Sequence, residues 1–234
     1  MHLANLVTVV IPCKNEGPII KKTLGLLSNQ VAIDGLNVIV ADSSDDDSTV
    51  KMIESESNGK LRIQIIRGGF PAVARNAGAS LVNTEYVLFL DADIFLTDRT
   101  LLHNVVSDAV FDKVELATCR ITTQDSYRFA FSFFDIVRGI ISKRTPFAIG
   151  GFMLFKTDSF KRLGGFSETA LVAEDYKISK KINSKLFKVY RYKVYTTSRR
   201  FKTKGLFYFV KLMILFWINR DNDDFYKNDF NYFE

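Results

Sequence analysis

Along residues 6–120 the chain alternates between unbroken apolar runs and amphipathic stretches. Residues 6–11 (LVTVVI) are continuous and rich in β-branched side chains, as in a strand covered on both faces. Pro12 ends that run, and Gly17 and Pro18 open a helix that carries Ile19, Ile20, Leu24 and Leu27 on one side. A second strand over 36–41 (LNVIVA) ends at Asp42. The following SSDDDS, 43–48, reads as a helix start, with side-chain oxygens for caps and acids suited to the positive end of a helix. Further strands are predicted at 61–66, Tyr86–Leu90 and 114–118, and helices over 71–81 and 101–111.

Four alternations of strand and helix with short connections predict an α/β fold: a mostly parallel, Rossmann-like sheet flanked by helices. Ligands of such sheets gather at the carboxyl ends of the strands. Asp42 and Asp91 both lie there. After residue 120 the pattern changes. Residues 127–141 read as an aromatic helix, and Gly150-Gly151 and Gly164-Gly165 bracket a short strand and helix. Glu174-Asp175 begins a helix running over 176–182, and 186–197 alternates loosely as one or two strands. No linker composition intervenes. Residues 1–204 therefore read as one domain, with a ligand-binding half over 1–120 and a second lobe over 121–204.

The bulk composition fits a chain with a full core: 234 residues, 47% apolar, and four prolines. Cys13 and Cys119 lie far apart in apolar contexts and read as reduced core residues of a cytosolic protein. His2 and His103 are isolated, which argues against a histidine zinc site. The apolar run at 6–11 is too short for a signal peptide. Neither GxxxxGK[ST] nor GxGxxG occurs, so phosphate-loop and dinucleotide fingerprints are absent. No nucleic-acid-binding motif appears either, and no nucleic-acid partner is expected.

Charge is unevenly placed. The net value is +6, yet residues 177–211 hold twelve Lys or Arg and no acid, whereas 219–234 hold five acids and two bases. The basic stretch suggests an anionic partner, such as phosphate or a membrane surface, or else a solvated face. Residues 205–218 (GLFYFVKLMILFWI) are apolar all round except for Lys211. As a helix they span about 21 Å, short of a ~30 Å hydrocarbon core. They either pack on the protein or lie in a membrane interface, flanked by Arg199, Arg200, Lys202 and Lys204. Peripheral contact with the inner face of a membrane through 199–218 is one expectation. The aromatic acidic tail, with Phe225, Tyr226, Phe230, Tyr232 and Phe233, is expected to dock on basic surface of its own chain or of a second copy.

Asp91 and Asp93 form an Asp-x-Asp at a strand end, a pattern suited to a hard divalent cation such as Mg²⁺ or Mn²⁺. The competing readings are a helix cap near Thr97 and Asp98, or an aspartyl phosphotransferase, whose carboxylate usually follows the first strand rather than the fourth. Glu174 and Asp175 read equally well as acids favoured in a first helical turn.

The segments VTVVIPCKNEG (7–17), VIVADSSDDDST (38–49), ARNAGAS (74–80), YVLFLDAD (86–93), GGFSETALVAED (164–175) and TSRR (197–200) occur in one order. Together they resemble the family 2 glycosyltransferases, over about residues 5–200. The resemblance implies the GT-A fold, a UDP-sugar donor, a glycan or lipid-linked hydroxyl acceptor and Mn²⁺ or Mg²⁺ as cofactor. Carried over, Pro12, Asn15, Glu16 and Ser44 line the nucleotide, and Asp42 accepts from the base. Uracil N3–H is a donor and an ionised carboxylate only accepts, so the chemistry agrees. Arg75, Arg199 and Arg200 lie near the diphosphate, Asp91 and Asp93 hold the metal, and Glu174 and Asp175 supply the general base, with Asp175 the residue that takes the proton. Gly150, Gly151 and Phe152 resemble the acceptor-side turn. The Gln-x-x-Arg-Trp signature of processive members is missing, which implies addition of single sugars. Two other classes remain at this point: a sugar-phosphate nucleotidyltransferase, and a non-catalytic glycan- or nucleotide-sugar-binding module.

Overall fold

The structure is a computed structural model that describes residues 1–55, 59–228 and 230. Seven strands form a single sheet in the order β3-β2-β1-β4-β6-β5-β7. They are β1 (Val7–Cys13), β2 (Leu36–Asp42), β3 (Leu61–Arg67), β4 (Tyr86–Leu90), β5 (Leu116–Thr122), β6 (Phe152–Lys156) and β7 (Phe187–Tyr195). The helices between β1 and β5 are α1 (Gly17–Ser28), α2 (Ser48–Glu54), α3 (Pro71–Ser80) and α4 (Leu101–Asp112). The later ones are α5 (Arg128–Ile141), α6 (Thr157–Arg162), α7 (Glu174–Ser179), α8 (Arg199–Lys204) and α9 (Leu206–Ile218).

β3, β2, β1 and β4 run parallel, each brought back by a helix, as the alternating pattern predicts. Their side chains fill two cores, one on each face. On one face Val9, Ile11, Val38 and Leu88 pack with Leu24, Leu27 and Val105. On the other, Val10, Ile39 and Phe89 pack with Ala72, Phe160 and Phe166. β6 breaks the parallel rule. It pairs antiparallel with β4, placing Phe152 opposite Leu90 and Lys156 opposite Tyr86. β6 therefore begins, rather than ends, at the edge where β4 delivers Asp91. The peptide N–H of Asp91 donates to the Gly151 carbonyl at 3.1 Å. β5 and β7 complete the sheet in parallel pairing.

Several boundaries differ from the sequence expectation. The fifth strand begins at Leu116 rather than 114 because Lys113 turns left-handed (φ 54°) and the Val114 N–H closes α4 on the Ala109 carbonyl. α2 begins only at Ser48, the last residue of the 43–48 start, where Asp46 Oδ1 accepts from Ser48 N at 2.9 Å. The front of that segment instead meets the first loop, with Ser43 N donating to Cys13 O at 2.8 Å. α7 starts at Glu174 and ends at Ser179, shorter than predicted, and 186–197 holds a single strand, one of the two readings the sequence left open. Cys13 and Cys119 are both free and buried, and burial pushes the Cys13 thiol up to about 12.

Part of the tail docks as expected. Tyr226 is fully buried, its carbonyl accepts from Leu171 N at 2.9 Å, and Lys177 pairs with Asp223 at 2.7 Å. Tyr232 and Phe233 lie outside the described residues. None of the described helices is long and apolar enough to cross a membrane.

Candidate active site

Two groups of residues meet at the carboxyl edge of the sheet. The first is a clasp between the loops after β1 and β2. Asn15 takes a left-handed backbone (φ 54°), which lets its N–H donate to Ser44 Oγ at 2.8 Å. Its side chain exchanges bonds with Asp45, accepting from Asp45 N at 3.1 Å and donating to Asp45 Oδ2 at 2.7 Å. Asp42 does not cap a helix. Its Oδ1 accepts from Ser44 N at 3.2 Å and from Ser44 Oγ at 2.6 Å, a local turn that fixes the carboxylate at the strand end. Pro12 and Glu16 are half-buried beside the clasp. Glu16 precedes α1 and pairs with Arg199, whose Nη1 lies 3.3 Å from Glu16 Oε2. That ion pair joins the first loop to the segment after β7.

The second group is a chain of buried charge centred on Arg75. It lies in the middle of α3, only 3% exposed, where the sequence alone allowed a surface charge. Its Nη1 donates to Glu174 Oε1 and its Nη2 to Asp91 Oδ1, each at 2.6 Å. Burial opposes its charge, but the carboxylates of Asp91 and Glu174 outweigh that and hold the guanidinium above its usual value. One arginine thus ties the end of β4 to the start of α7, reaching Glu174 from 99 residues away in sequence.

Asp175 lies next to this chain. Its Oδ2 accepts from Gly150 N and its Oδ1 from Tyr176 N, both at 2.7 Å. Burial, then the charge of Glu174, raises the Asp175 carboxyl above the ordinary carboxylate range, against the pull of the two N–H groups and Arg75. Glu174 is buried and spent on Arg75, whereas Asp175 is mostly buried but keeps some exposure. The left-handed Ala173 (φ 56°) sets the entry to α7 that separates their directions.

The glycine turn lies directly against these acids. A Cβ on Gly150 would stand 3.3 Å from both Arg75 Nη2 and Asp175 Oδ2, and one on Gly151 would stand 2.8 Å from Ile94 Cδ1. A side chain at either position would crowd these neighbours. Phe152 corrects the sequence expectation. Its ring is fully buried in the sheet core, so it has no surface to offer a sugar, and its carbonyl is bonded by Thr118 Oγ1 at 2.7 Å. The strand alternation that makes β6 a core strand dictates this.

Asp93 sits across from Asp91. Its Oδ2 accepts from Thr196 Oγ1 at 3.2 Å and Thr197 Oγ1 at 3.3 Å. Burial and the Asp91 charge raise its carboxyl, and the charge of Arg200 partly offsets this. The cap reading of the Asp-x-Asp is excluded, because Asp98 makes that turn itself, accepting from Thr100 N at 2.9 Å. Among the described residues no three His, Cys, Asp or Glu side chains cluster as a complete protein metal cage. Two carboxylates, one of them disfavoured in its charged form by the other, fit a hard cation that takes its remaining oxygens from substrate and water. Thr196, and Thr197 although it opens the TSRR motif, were not singled out from sequence because a loop hydroxyl by itself does not mark a carboxylate's partner. Both also line a cavity of about 590 Å³ with Lys22, Phe95, Asp125 and Arg199.

Known proteins resemble the chain in both sequence and structure. Over 94 residues it is 34% identical to a validoxylamine A glucosyltransferase of Streptomyces hygroscopicus, covering 38% of this chain and 22% of that protein. Over 99 residues it is 30% identical to the poly(ribitol-phosphate) beta-N-acetylglucosaminyltransferase TarP of Staphylococcus aureus, covering 41% and 30%. The chain thus spans less than a third of the length of these curated relatives. The mannosyltransferase PcManGT of Pyrobaculum calidifontis, solved with GDP-Man and Mn²⁺, superposes with a TM-score of 0.69 at 26% identity, over 85% of this chain and 59% of that one. A TarS fragment of S. aureus, solved with UDP-GlcNAc, shares the fold with a TM-score of 0.67 at 20% identity, over 83% and 59%. The sequence pattern described as "Glycosyl transferase family 2" matches residues 8–164, and this chain belongs to that family.

Proposed function

We propose that the chain transfers one sugar from a UDP-sugar to a hydroxyl of a glycan or lipid-linked acceptor, with inversion at the anomeric carbon. The observation that carries this reading is the Arg75 bridge, which brings Asp91 and the Glu174–Asp175 turn to one edge of the sheet beside the Asn15–Ser44 clasp. Family membership supports this reading over the nucleotidyltransferase and the non-catalytic module.

Asp175 takes the proton of the acceptor hydroxyl as that oxygen attacks the anomeric carbon. The bond from that carbon to the diphosphate oxygen breaks, and the electron pair leaves with UDP. One displacement needs one base and no covalent nucleophile. Glu174 and Arg75 act as positioning residues: each is buried and bonded to the other. Asp42 receives the uracil N3–H, while Pro12, Asn15, Glu16 and Ser44 shape the nucleotide's bed. Arg199 and Arg200 face the departing diphosphate. Mn²⁺ or Mg²⁺, held by Asp91 and Asp93, supplies positive charge to that leaving group when bound. Gly150 and Gly151 let the acceptor approach Asp175 across bare backbone.

The test is a thermal-shift panel of UDP-, GDP-, CMP- and dTDP-sugars, each with and without Mn²⁺, followed by an assay for nucleotide release with acceptor. A shift that needs both Mn²⁺ and a UDP-sugar is expected. Equal shifts for all four nucleotides, or none, would overturn the donor assignment.

A further inference from the structure

α5 and α9 each carry an apolar stripe that nothing described covers. On α5 the stripe is Phe129, Phe133, Ile136 and Ile140, at spacings of four, three and four, so it forms one face. Phe129 is 89% exposed. On α9 it is Phe207, Val210, Ile214, Trp217 and Ile218, with Phe207 91% exposed. The opposite faces of both helices pack on one residue. Phe131 and Phe134 of α5 lie 5.0 and 5.9 Å from the Phe201 ring, and Phe209 of α9 lies 4.3 Å from it. The sequence suggested a membrane contact for 199–218 alone. The Phe201 hub adds α5, linking it to α9 through the buried faces of both helices.

The exposed charges beside this face are mostly basic, with Lys202 paired to Asp125 at 3.4 Å. Arg128, Lys143 and Arg144 are exposed at the two ends of α5, and Lys202 and Lys211 are exposed along α8 and α9. Residues 199–218 contain no acid. The one acid of α5, Asp135, is turned inward to Arg138 and to Arg120 at 3.4 Å. Two of the acids after α9 are paired with lysines: Asp223 with Lys177, and Asp221 with Lys180 at 3.6 Å.

We infer that α5 and α9 form a two-helix platform that docks this protein on an anionic phospholipid surface, lying in the headgroup layer without crossing it. Apolar stripes enter the acyl boundary while the basic rim meets anionic headgroups. A two-fold contact between copies of the same face would set these like charges opposite each other, which disfavours a second copy as the occupant. The inference does not depend on which residue is the catalytic base or which sugar is transferred.

Trp217 is the chain's single tryptophan and stands on the platform, so its fluorescence reports docking directly. The experiment titrates the full chain with phosphatidylcholine vesicles, with and without about one quarter phosphatidylglycerol, and follows emission and co-sedimentation. A blue shift and co-sedimentation are expected with the anionic vesicles, and both should be weakened by high salt. Phe133→Asp, on the other helix from the reporter, is expected to weaken binding at least about tenfold with an unchanged melting temperature. Lys211→Ala is expected to weaken it about fivefold. Failure to bind anionic vesicles, equal binding to neutral ones, or no effect of Phe133→Asp would overturn the inference. So would a stable dimer in sedimentation that Phe133→Asp dissolves.

Discussion

The peptide N–H of Gly150 donates to the Asp175 carboxylate at 2.7 Å. This bond joins the loop that opens the one antiparallel strand of the sheet to the first turn of α7. With Tyr176 N on its other oxygen, the Asp175 side chain is held in one orientation while each oxygen keeps a further lone pair. Such a group is oriented before any substrate arrives.

Asp175→Asn should keep donor binding and lose transfer by about 10²–10⁴-fold, the usual range for a positioned base. Calorimetric donor affinity beside turnover checks this. Turnover near the wild-type value would show that another group takes the proton.

The raised carboxyl of Asp175 predicts a pH profile. Its folded-state pKa lies above its unfolded value, first through burial and then through the Glu174 charge. Transfer needs the ionised form, so kcat should fall as pH drops through that raised pKa, at a higher pH than an ordinary carboxylate (about 4) would give. The stability this group contributes runs the other way: it is present below the unfolded pKa and lost as pH rises through the folded one. Glu174→Gln removes the like charge and leaves Arg75 closer in effect to Asp175. Both changes should move the acid limb of kcat down in pH, whereas a residue that only supports the fold would leave the limb in place.

Gly150→Ala would place a methyl group 3.3 Å from Arg75 Nη2 and Asp175 Oδ2. Its backbone is not left-handed, so the chain should fold. The crowding falls on the carboxylate, and a displacement of tenths of an ångström should cost kcat about tenfold or more with little change in donor affinity. Melting temperature and kinetics measured together separate this outcome from misfolding.

Asp93 predicts opposite effects with and without a divalent cation. Its carboxyl is raised by burial and by Asp91, so its charge destabilises the cation-free protein at neutral pH. Asp93→Asn keeps an oxygen for Thr196 and Thr197, and should raise the melting temperature in chelator while abolishing the extra stabilisation given by Mn²⁺ with donor. A melting temperature lowered in chelator would contradict this account.

Arg199→Ala breaks the pair with Glu16, which is exposed on the arginine side. Stability should change by less than about 1 kcal/mol. Donor affinity should fall, because the link between the first loop and the segment after β7 is lost. Urea unfolding and donor titration separate the two effects.

What the sequence determined by itself is the frame. Strand runs alternating with helices placed four parallel strands, and two of those runs put Asp42 and Asp91 at one edge, because a strand covered on both faces has no polar position until it emerges. The ordered motifs identified the family for the same reason: each is a short local piece whose chemistry does not depend on its neighbours. Tertiary structure alone decided the rest. No local pattern marks β6 as antiparallel, and that reversal is what sets Gly150 and Gly151 beside the acids and sends Phe152 into the core. Nor does any pattern show that Arg75 leaves the surface to bridge Asp91 and Glu174, or that α5 and α9 share Phe201. These are contacts between residues far apart in the chain, and their free energy comes from burial and charge pairing that exist only once the sheet has assembled.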